Sequence, residues 1–544
     1  MRTPYDKNEY RSDGSDAYWW AGQGYAVAVQ DVRGKYESFG IYTVNAADWR
    51  DGPDMVDWLV AQPWSTGKVG TFGCSYLGEN QLLLARMRHP NHVAAIPQGA
   101  GGAYRWGGYL NGGAIELAAG FGWFRGAGSK INYHPPEGTP SSFYREAAAL
   151  YHPAPTLPKI DYRAAWRIVP MLDMMKRTGS PPNDFTDWLT HERSDRWWDS
   201  FGYVRDTDRF AAPMLHVNSW FDPAVLETLE EYSIARKNAV TPAERDNQFV
   251  VISPTPHCES EGATEKTMVG TLDVGDARLD YYAIYLRWFD HWLKGVDNGV
   301  TRMAPVQLYV MGRNQWRAEH EWPLARTVWT KYYLQSDGRA NSRMGSGRLD
   351  PVPPASEPAD SFVSDPGGPV PTLGGPICCT AGQIAPGSLD QSESEMRHDV
   401  LVYTTAPLDR GVEVTGPLEL VLTVSSSAKD TDFTGKLLDV FPDGRALNIQ
   451  EGILRARYRE GIDKKVWMEP GRSYELKVSL QATSYYFAPG HRIRLEVSSS
   501  NFPRFDRNFN TGGNTFDETS WRLATNVIHH TTGRLSYLIL PVIP

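Results

Sequence analysis

The sequence predicts two structural units in series: an α/β unit with a doubly wound, mostly parallel sheet, and an all-β unit after it. Up to about residue 100, short apolar strands alternate with helical patterns, which is typical of a parallel sheet covered on both faces. Beyond about residue 303, stretches of alternating polarity are separated by Gly, Pro and Asp turns and lack helical patterns. A chain of 544 residues also exceeds the size that one hydrophobic core sustains.

The α/β unit is interrupted by a segment without strand patterns. We expect residues 1–105 and 210–300 to form the α/β unit, and residues 106–209 to form a helical cap over the carboxyl edge of its sheet, where such sheets bind ligands. The predicted strands are 25–30, 68–72, 93–96, 214–217 and 249–252, and the predicted helices are 55–60, the segment after Ser75, 144–151, 162–175, 184–189 and 279–293.

Residues 301–544 are predicted to form a β-sandwich or jelly roll. A Pro-, Gly- and Ser-rich connection at about 350–390 is expected to run over the surface as an ordered loop. The predicted strands are 306–310, 418–424, 453–458, 474–480, 492–497 and 535–540.

Composition and charge exclude several function classes. A net charge of −9 and the lack of a basic run argue against nucleic-acid binding. No apolar stretch approaches the roughly 20 residues that span a bilayer, so no membrane partner is expected. The histidines show no metal-ligand spacing, and neither a metal nor a cofactor is expected. We expect the four cysteines to be small buried thiols, although Cys74 and Cys258 flank candidate catalytic residues and could approach each other.

The segment Gly73-Cys74-Ser75-Tyr76-Leu77-Gly78 is the strongest candidate site in the chain. It joins the strand 68–72 to a helix, and a serine on such a turn is typical of a catalytic nucleophile held above a parallel sheet. The usual pattern has a small residue two positions after the serine, where this chain has Leu77. An ordinary strand-to-helix turn is the alternative interpretation.

A serine nucleophile requires a base and an acid that orients the base. Asp222 and His257 each follow a predicted strand, in the chain order Ser, Asp, His that this architecture uses. His257 is expected to accept the Ser75 proton, and Asp222 to fix the imidazole tautomer. The backbone N–H of Tyr76 is expected to stabilise the oxyanion. Taken singly, Asp222 could be a helix cap and His257 a loop hydrogen bonder.

Six short motifs stand out in the sequence, at 3–7, 30–36, 62–64, 73–78, 220–222 and 289–295. Together they resemble the family of cocaine esterase, α-amino-acid ester hydrolases, glutaryl acylases and Xaa-Pro dipeptidyl-peptidases. The resemblance covers nearly the whole chain and implies an α/β-hydrolase fold, a helical cap and a C-terminal jelly roll. It also implies that the hydroxyl of Tyr5 donates to the oxyanion.

Two departures from the family pattern affect expectations. Members normally carry several strands before the motif at 3–7, so we expect the first edge of the sheet to be missing. The chain as given is expected to be cytoplasmic, with a signal peptide left open. Amino-ester hydrolases hold a substrate ammonium with carboxylates where this chain has Ala224 and Val225, which disfavours an α-amino acyl group. Glu79 and Glu116 are the substitutes that the sequence offers.

The sequence therefore predicts a serine hydrolase that cleaves a small-molecule carboxylic ester, or an amide, through an acyl-enzyme. A dipeptidyl-peptidase with the same triad is one alternative, and an inactive carbohydrate-binding protein is another. A homo-oligomer and a monomer are both open. Aromatic residues that we expect to line the acyl pocket are Trp106, Tyr109, Trp123, Phe124 and Phe221.

Overall fold

The computed structural model describes residues 1–104, 110–130, 157–192 and 195–544. Its first large sheet has six strands in the order β12-β11-β8-β7-β4-β3, parallel except for the pair β11–β12. These strands are β3 (Val69–Cys74), β4 (His92–Gln98), β7 (Met214–Phe221), β8 (Gln248–Pro256), β11 (Val306–Val310) and β12 (Gln315–Glu319). Strands β7 and β8 are buried along their whole length, as expected for the centre of a sheet covered on both faces.

Helices cover both faces of this sheet. Helix α10 is amphipathic and ends at Gly295, whose positive φ of 74° suits a left-handed helix cap. The helices around the sheet are α1 (Asp16–Gly22), α2 (Asp48–Val60), α3 (Tyr76–Ala85), α8 (Val225–Lys237), α9 (Pro242–Asp246) and α10 (Tyr281–Lys294). None of the helices in the described ranges is long and apolar enough to cross a bilayer.

The segment between β4 and β7 is largely helical in its described part. Its aromatic residues pack into an aromatic core that also includes Tyr76 and Phe502 from outside the segment. Within this core Phe124 contacts Phe185 and Trp188. The predicted helix 144–151 lies outside the described residues. The elements of this segment are the hairpin β5 (Leu110–Asn111) and β6 (Ala114–Ile115), and the helices α4 (Leu117–Arg125), α5 (Tyr162–Ala165), α6 (Met174–Arg177) and α7 (Phe185–Thr190).

Three sequence predictions need correction. The segment 25–30 is not a strand; only β2 (Gln30–Asp31) pairs, in parallel with β1 (Arg2–Thr3). Strand β11 exists as predicted but pairs with β8, so it extends the α/β sheet and not the all-β unit. The predicted strand 453–458 ends at Arg455 and continues as a 3-10 helix. The strand propensity of residues 306–310 was read correctly, but their pairing partner β8 was not visible in the sequence.

The remaining chain forms an eleven-stranded antiparallel-rich sheet that folds over a large apolar core. Within this sheet, β17 (Val412–Ser426) and β20 (Tyr474–Phe487) pair along twelve residues. A small hairpin, β9 (Thr267–Val269) and β10 (Leu272–Gly275), precedes α10. The strands of the large sheet are β13 (Val328–Gln335), β14 (Arg348–Asp350), β15 (Asp360–Ser364), β16 (Leu401–Thr404), β17 (Val412–Ser426), β18 (Asp432–Val440), β19 (Ala446–Arg455), β20 (Tyr474–Phe487), β21 (Arg492–Ser498), β22 (Ala524–Ile528) and β23 (Tyr537–Ile543).

A buried ionic contact joins the β unit to the start of α4. The guanidinium of Arg504 is fully buried and bonds Glu116 at 3.1 Å and Glu451 at 2.6 Å. The backbone N–H groups of Leu117 and Ala118 donate to the carbonyls of Arg504 and Pro503, which satisfies donors that the helix leaves free. Glu116, which the sequence offers as a substrate carboxylate, is therefore engaged in this contact and does not line the pocket of Ser75.

Replacing Arg504 is expected to destabilise the chain strongly. The variant Arg504→Ala leaves Glu116 and Glu451 buried without their cation, which costs about 3–5 kcal/mol. Arg472→Ala, which removes an exposed pair with Glu469, is the control and should change stability little. Urea unfolding monitored by tryptophan fluorescence measures both. Equal midpoints for the two variants would contradict the role of Arg504.

Candidate active site

Ser75 lies on a sharp turn between β3 and α3. Its backbone has φ 60° and ψ −126°, a conformation that non-glycine residues rarely adopt. Gly78 lets the turn pack closely, because a Cβ atom there would lie 2.3 Å from the carbonyl oxygen of Gln98 on β4. This close packing requires a small residue at position 78, one position later than in the usual pattern, and the chain has Gly78 there.

Asp222 and His257 directly follow the last residues of β7 and β8. The imidazole Nδ1 of His257 donates a hydrogen bond to Oδ2 of Asp222. The other carboxylate oxygen of Asp222 accepts from the backbone N–H of Ala224 at 2.8 Å. With Nδ1 engaged in this way, Nε2 of His257 is left as the nitrogen that can accept a proton.

The charge of Asp222 controls the basicity of His257. Burial by itself lowers the pKa of the imidazole, but the charge of Asp222 and its hydrogen bond outweigh burial and raise the pKa from 6.5 to about 9. An imidazole of this basicity binds a proton readily and is stabilised when it becomes charged.

Two groups are placed to stabilise an oxyanion. The hydroxyl of Tyr5 accepts a hydrogen bond from Nε1 of Trp123 at 3.3 Å and interacts with the side chain of Ser75. Burial raises the pKa of Tyr5, so its hydroxyl stays protonated and able to donate. Tyr76 is the first residue of α3, and its backbone N–H has no partner within the helix.

Glu79 places a buried carboxyl group beside Ser75. Its Oε2 accepts a hydrogen bond from Nδ2 of Asn45 at 2.6 Å. Burial raises the pKa of Glu79 to about 7, despite this hydrogen bond and the positive potential of His257. Gly102 is required on the other side, because a Cβ atom there would lie 2.1 Å from Oε1 of Glu79. The carboxyl group is thus held against the pocket and not on the outer face of its helix.

One small pocket brings together most of the predicted site residues. A separate cavity of about 700 Å³ is larger than this pocket, but Ser75 does not line it. It is therefore not the candidate active site. The predicted residues that line the small pocket are Tyr5, Ser75, Tyr76, Glu79, Trp123, Asp222 and His257.

Two other predicted substrate-binding residues, Phe124 and Phe221, do not line this pocket. Phe124 packs within the aromatic core, where its ring contacts Trp188 of α7. Phe221 is fully buried in the core between the sheet and the β unit. Trp106 and Tyr109 lie outside the described residues.

All four cysteines lie at or beside the candidate site, and Cys74 and Cys258 approach each other as the sequence suggested. Cys74 and Cys258 are joined in a disulfide, which ties the strand before Ser75 to the residue after His257. The expectation of buried thiols is therefore wrong for this pair. Cys378 and Cys379 are free thiols that line the pocket, although their loop was expected to stay on the surface.

A strained serine after a parallel strand, next to a buried Asp–His pair at the same sheet edge, defines an α/β hydrolase of the serine type. Comparison with protein families agrees with this class. Residues 1–259 match the X-Pro dipeptidyl-peptidase (S15 family), and residues 298–539 match the X-Pro dipeptidyl-peptidase C-terminal non-catalytic domain. The chain belongs to this family of serine hydrolases, which confirms the resemblance found in its motifs.

Individual relatives extend over the whole chain. Cocaine esterase of Rhodococcus sp. (strain MB1 Bresler) is 35% identical, over 100% of this chain and 93% of the relative. A putative serine esterase of Mycobacterium bovis is 27% identical, over 89% of this chain and 79% of the relative.

Solved structures share the fold. An α-amino acid ester hydrolase matches with a TM-score of 0.82 and 25% identity, over 99% of this chain and 91% of that chain. An aminopeptidase from a marine sediment archaeon, Thaumarchaeota archaeon, matches with a TM-score of 0.79 and 25% identity, over 100% and 91%. The α/β-hydrolase fold followed by a β unit is thereby confirmed.

Proposed function

We propose that the chain cleaves carboxylic esters through an acyl-enzyme formed on Ser75. The Asp222–His257 hydrogen bond, in the pocket that Ser75 lines, carries this proposal. Ser75 Oγ attacks the ester carbonyl carbon while its proton passes to Nε2 of His257. The imidazolium is stabilised by Asp222 and then gives the proton to the departing alkoxide.

The negative charge that develops on the carbonyl oxygen is held by two donors. These are the hydroxyl of Tyr5 and the backbone N–H of Tyr76. Water then attacks the acyl-enzyme carbonyl, gives its proton to His257, and releases the acid as Ser75 regains its proton.

We further propose how the chain divides around this site. Residues 106–209 form the cap and the C-terminal β unit is a jelly roll, while β11 and β12 belong with the hydrolase unit. The pairing of β11 with β8 supports the last assignment.

Removing the nucleophile is expected to abolish ester hydrolysis. Ser75→Ala should lose turnover of p-nitrophenyl esters while its thermal unfolding stays close to that of the unchanged chain. Ser12→Ala, at an exposed serine, is the matched control. A fluorophosphonate should add once, on the peptide that contains Ser75. A folded chain that is not labelled would favour a binding protein in place of an enzyme.

The pH dependence is expected to follow the protonation of His257. The neutral imidazole is the base, so kcat/KM should rise with pH up to about 9, where the pKa of His257 lies. Asp222→Asn removes the charge that raises the pKa of His257 while burial still lowers this pKa, so the rise in kcat/KM should move to lower pH. The maximal rate should fall about 10⁴-fold, as in serine proteases. Asp297→Asn, at an exposed residue, should leave the profile in place; an unmoved profile in Asp222→Asn would refute the assignment.

A peptidase activity is the second candidate, and Glu79 favours it. A carboxyl group in the pocket could pair with a peptide ammonium, a role that Ala224 and Val225 cannot fill. If Glu79 has this role, Glu79→Gln should reduce cleavage of an Ala-Pro anilide at least tenfold and leave an uncharged acyl ester nearly unaffected. Glu259→Gln, at an exposed residue, is the control. Equal effects of Glu79→Gln on both substrates would exclude the peptidase.

A further inference from the structure

All four cysteines of the chain lie around His257, although they come from three distant parts of the sequence. Cys74 and Cys258 lie close to the ring but are consumed by their disulfide. Cys378 and Cys379 carry free thiols. Their sulfur atoms and a ring nitrogen of His257 lie within 4.8 Å of one another.

We propose that His257, Cys378 and Cys379 bind a single thiophilic divalent cation such as Zn²⁺. Two sulfurs and one imidazole nitrogen are a ligand set that zinc accepts, with Zn–S near 2.3 Å and Zn–N of about 2.0–2.1 Å. Tetrahedral coordination at these lengths separates the ligand atoms by roughly 3.4–3.8 Å. The three atoms are therefore close to the spacing that the ion requires, and side-chain rotation can supply the difference.

The Asp222–His257 pair prepares the imidazole for a metal as well as for a proton. Histidines that bind metals usually donate their other N–H to a carboxylate, which fixes the tautomer and the ring orientation. Asp222 accepts in this way from Nδ1. Nε2 is buried and has no hydrogen-bond partner in the described part of the chain, so no described group competes with an ion for this nitrogen.

Packing against the aromatic core and α4 holds the loop that carries the two thiols in place. Ile377 is buried in the aromatic core of the helical segment. The carbonyl oxygen of Cys379 lies so close to Gly122 of α4 that a Cβ atom there would come within 2.4 Å of it. Both residues line the pocket, and Cys379 is exposed and Cys378 partly exposed, so the loop that carries them borders solvent. The site is thus both accessible and largely preformed.

Binding would inhibit the hydrolase, a consequence that rests on the proposed function. Each thiol releases its proton to solvent as its S–Zn bond forms, and an imidazolium at His257 likewise releases its Nε2 proton to solvent before the lone pair binds the ion. That lone pair is the acceptor of the Ser75 proton. Three protein ligands leave a fourth position for water, and a chelator should remove the ion and restore activity.

Cobalt titration tests binding without relying on activity. The chain, with two free thiols counted by Ellman's reagent, should gain a near-ultraviolet thiolate-to-cobalt band that saturates at one Co²⁺ per chain and is displaced by Zn²⁺. The double variant Cys378→Ser, Cys379→Ser and the variant His257→Ala should lose the band, with folding checked by thermal melting. His320→Ala, at an exposed histidine, should keep it. A missing band in the unchanged chain, or a band that survives in the double variant, overturns the proposal.

Inhibition is measured separately. Zn²⁺ should block p-nitrophenyl ester hydrolysis at one equivalent, with recovery in EDTA. The double variant should need at least tenfold more Zn²⁺ than the unchanged chain to lose half of its own uninhibited rate. A cobalt band accompanied by unaltered hydrolysis would keep the metal site and refute the catalytic role of His257, so the two proposals fail in different ways.

Discussion

The parallel pairing of β3, β4, β7 and β8 is the constraint on which the site depends. Parallel strands present their carboxyl ends at one edge of the sheet. Ser75, Asp222 and His257 each follow the last residue of such a strand, so pairing alone brings together groups separated by up to 182 residues. The disulfide between Cys74 and Cys258 fixes two of these strand ends to each other. Backbone hydrogen bonds and one covalent link thus set the geometry before any side-chain contact is considered.

The C-terminal β unit contributes to the site and does not merely flank it. Arg504 is bonded to Glu116 and Glu451 without access to water, which holds the start of α4 against the β unit. Helix α4 in turn carries Trp123, the hydrogen-bond donor to Tyr5, and contacts the loop of Cys378 and Cys379. Buried ion pairs are weak sources of net stability, but breaking one is costly. They are well suited to holding two units in one fixed relation.

The pocket concentrates negative charge around one base. Asp222 and Glu79 both favour a protonated imidazole at His257, and burial opposes it. Glu79 favours the protonated imidazole only while it is ionised, and burial of its own carboxyl group favours the neutral acid. The same lone pair at Nε2 can accept a proton or a metal ion, and Asp222 prepares it for both. The proposed catalytic role of His257 and the proposed cation binding therefore depend on the same hydrogen bond.

The sequence by itself predicted the alternation of strands and helices, the serine turn, and the order of Ser75, Asp222 and His257, because these depend on local periodicity and on strand ends. It failed where the outcome depended on distant partners. The segment 25–30 has strand propensity but largely lacks a partner, and β11 joined the first sheet because β8 offered a free edge. Glu116 was read as a substrate carboxylate because Arg504 lies 388 residues away.

Only the tertiary structure revealed the disulfide and the two thiols beside His257. Cysteine spacing along the chain carries no information about sulfur atoms brought together by a sheet edge and a seated loop. Local physical chemistry decides which residues can act, and long-range packing decides which of them meet.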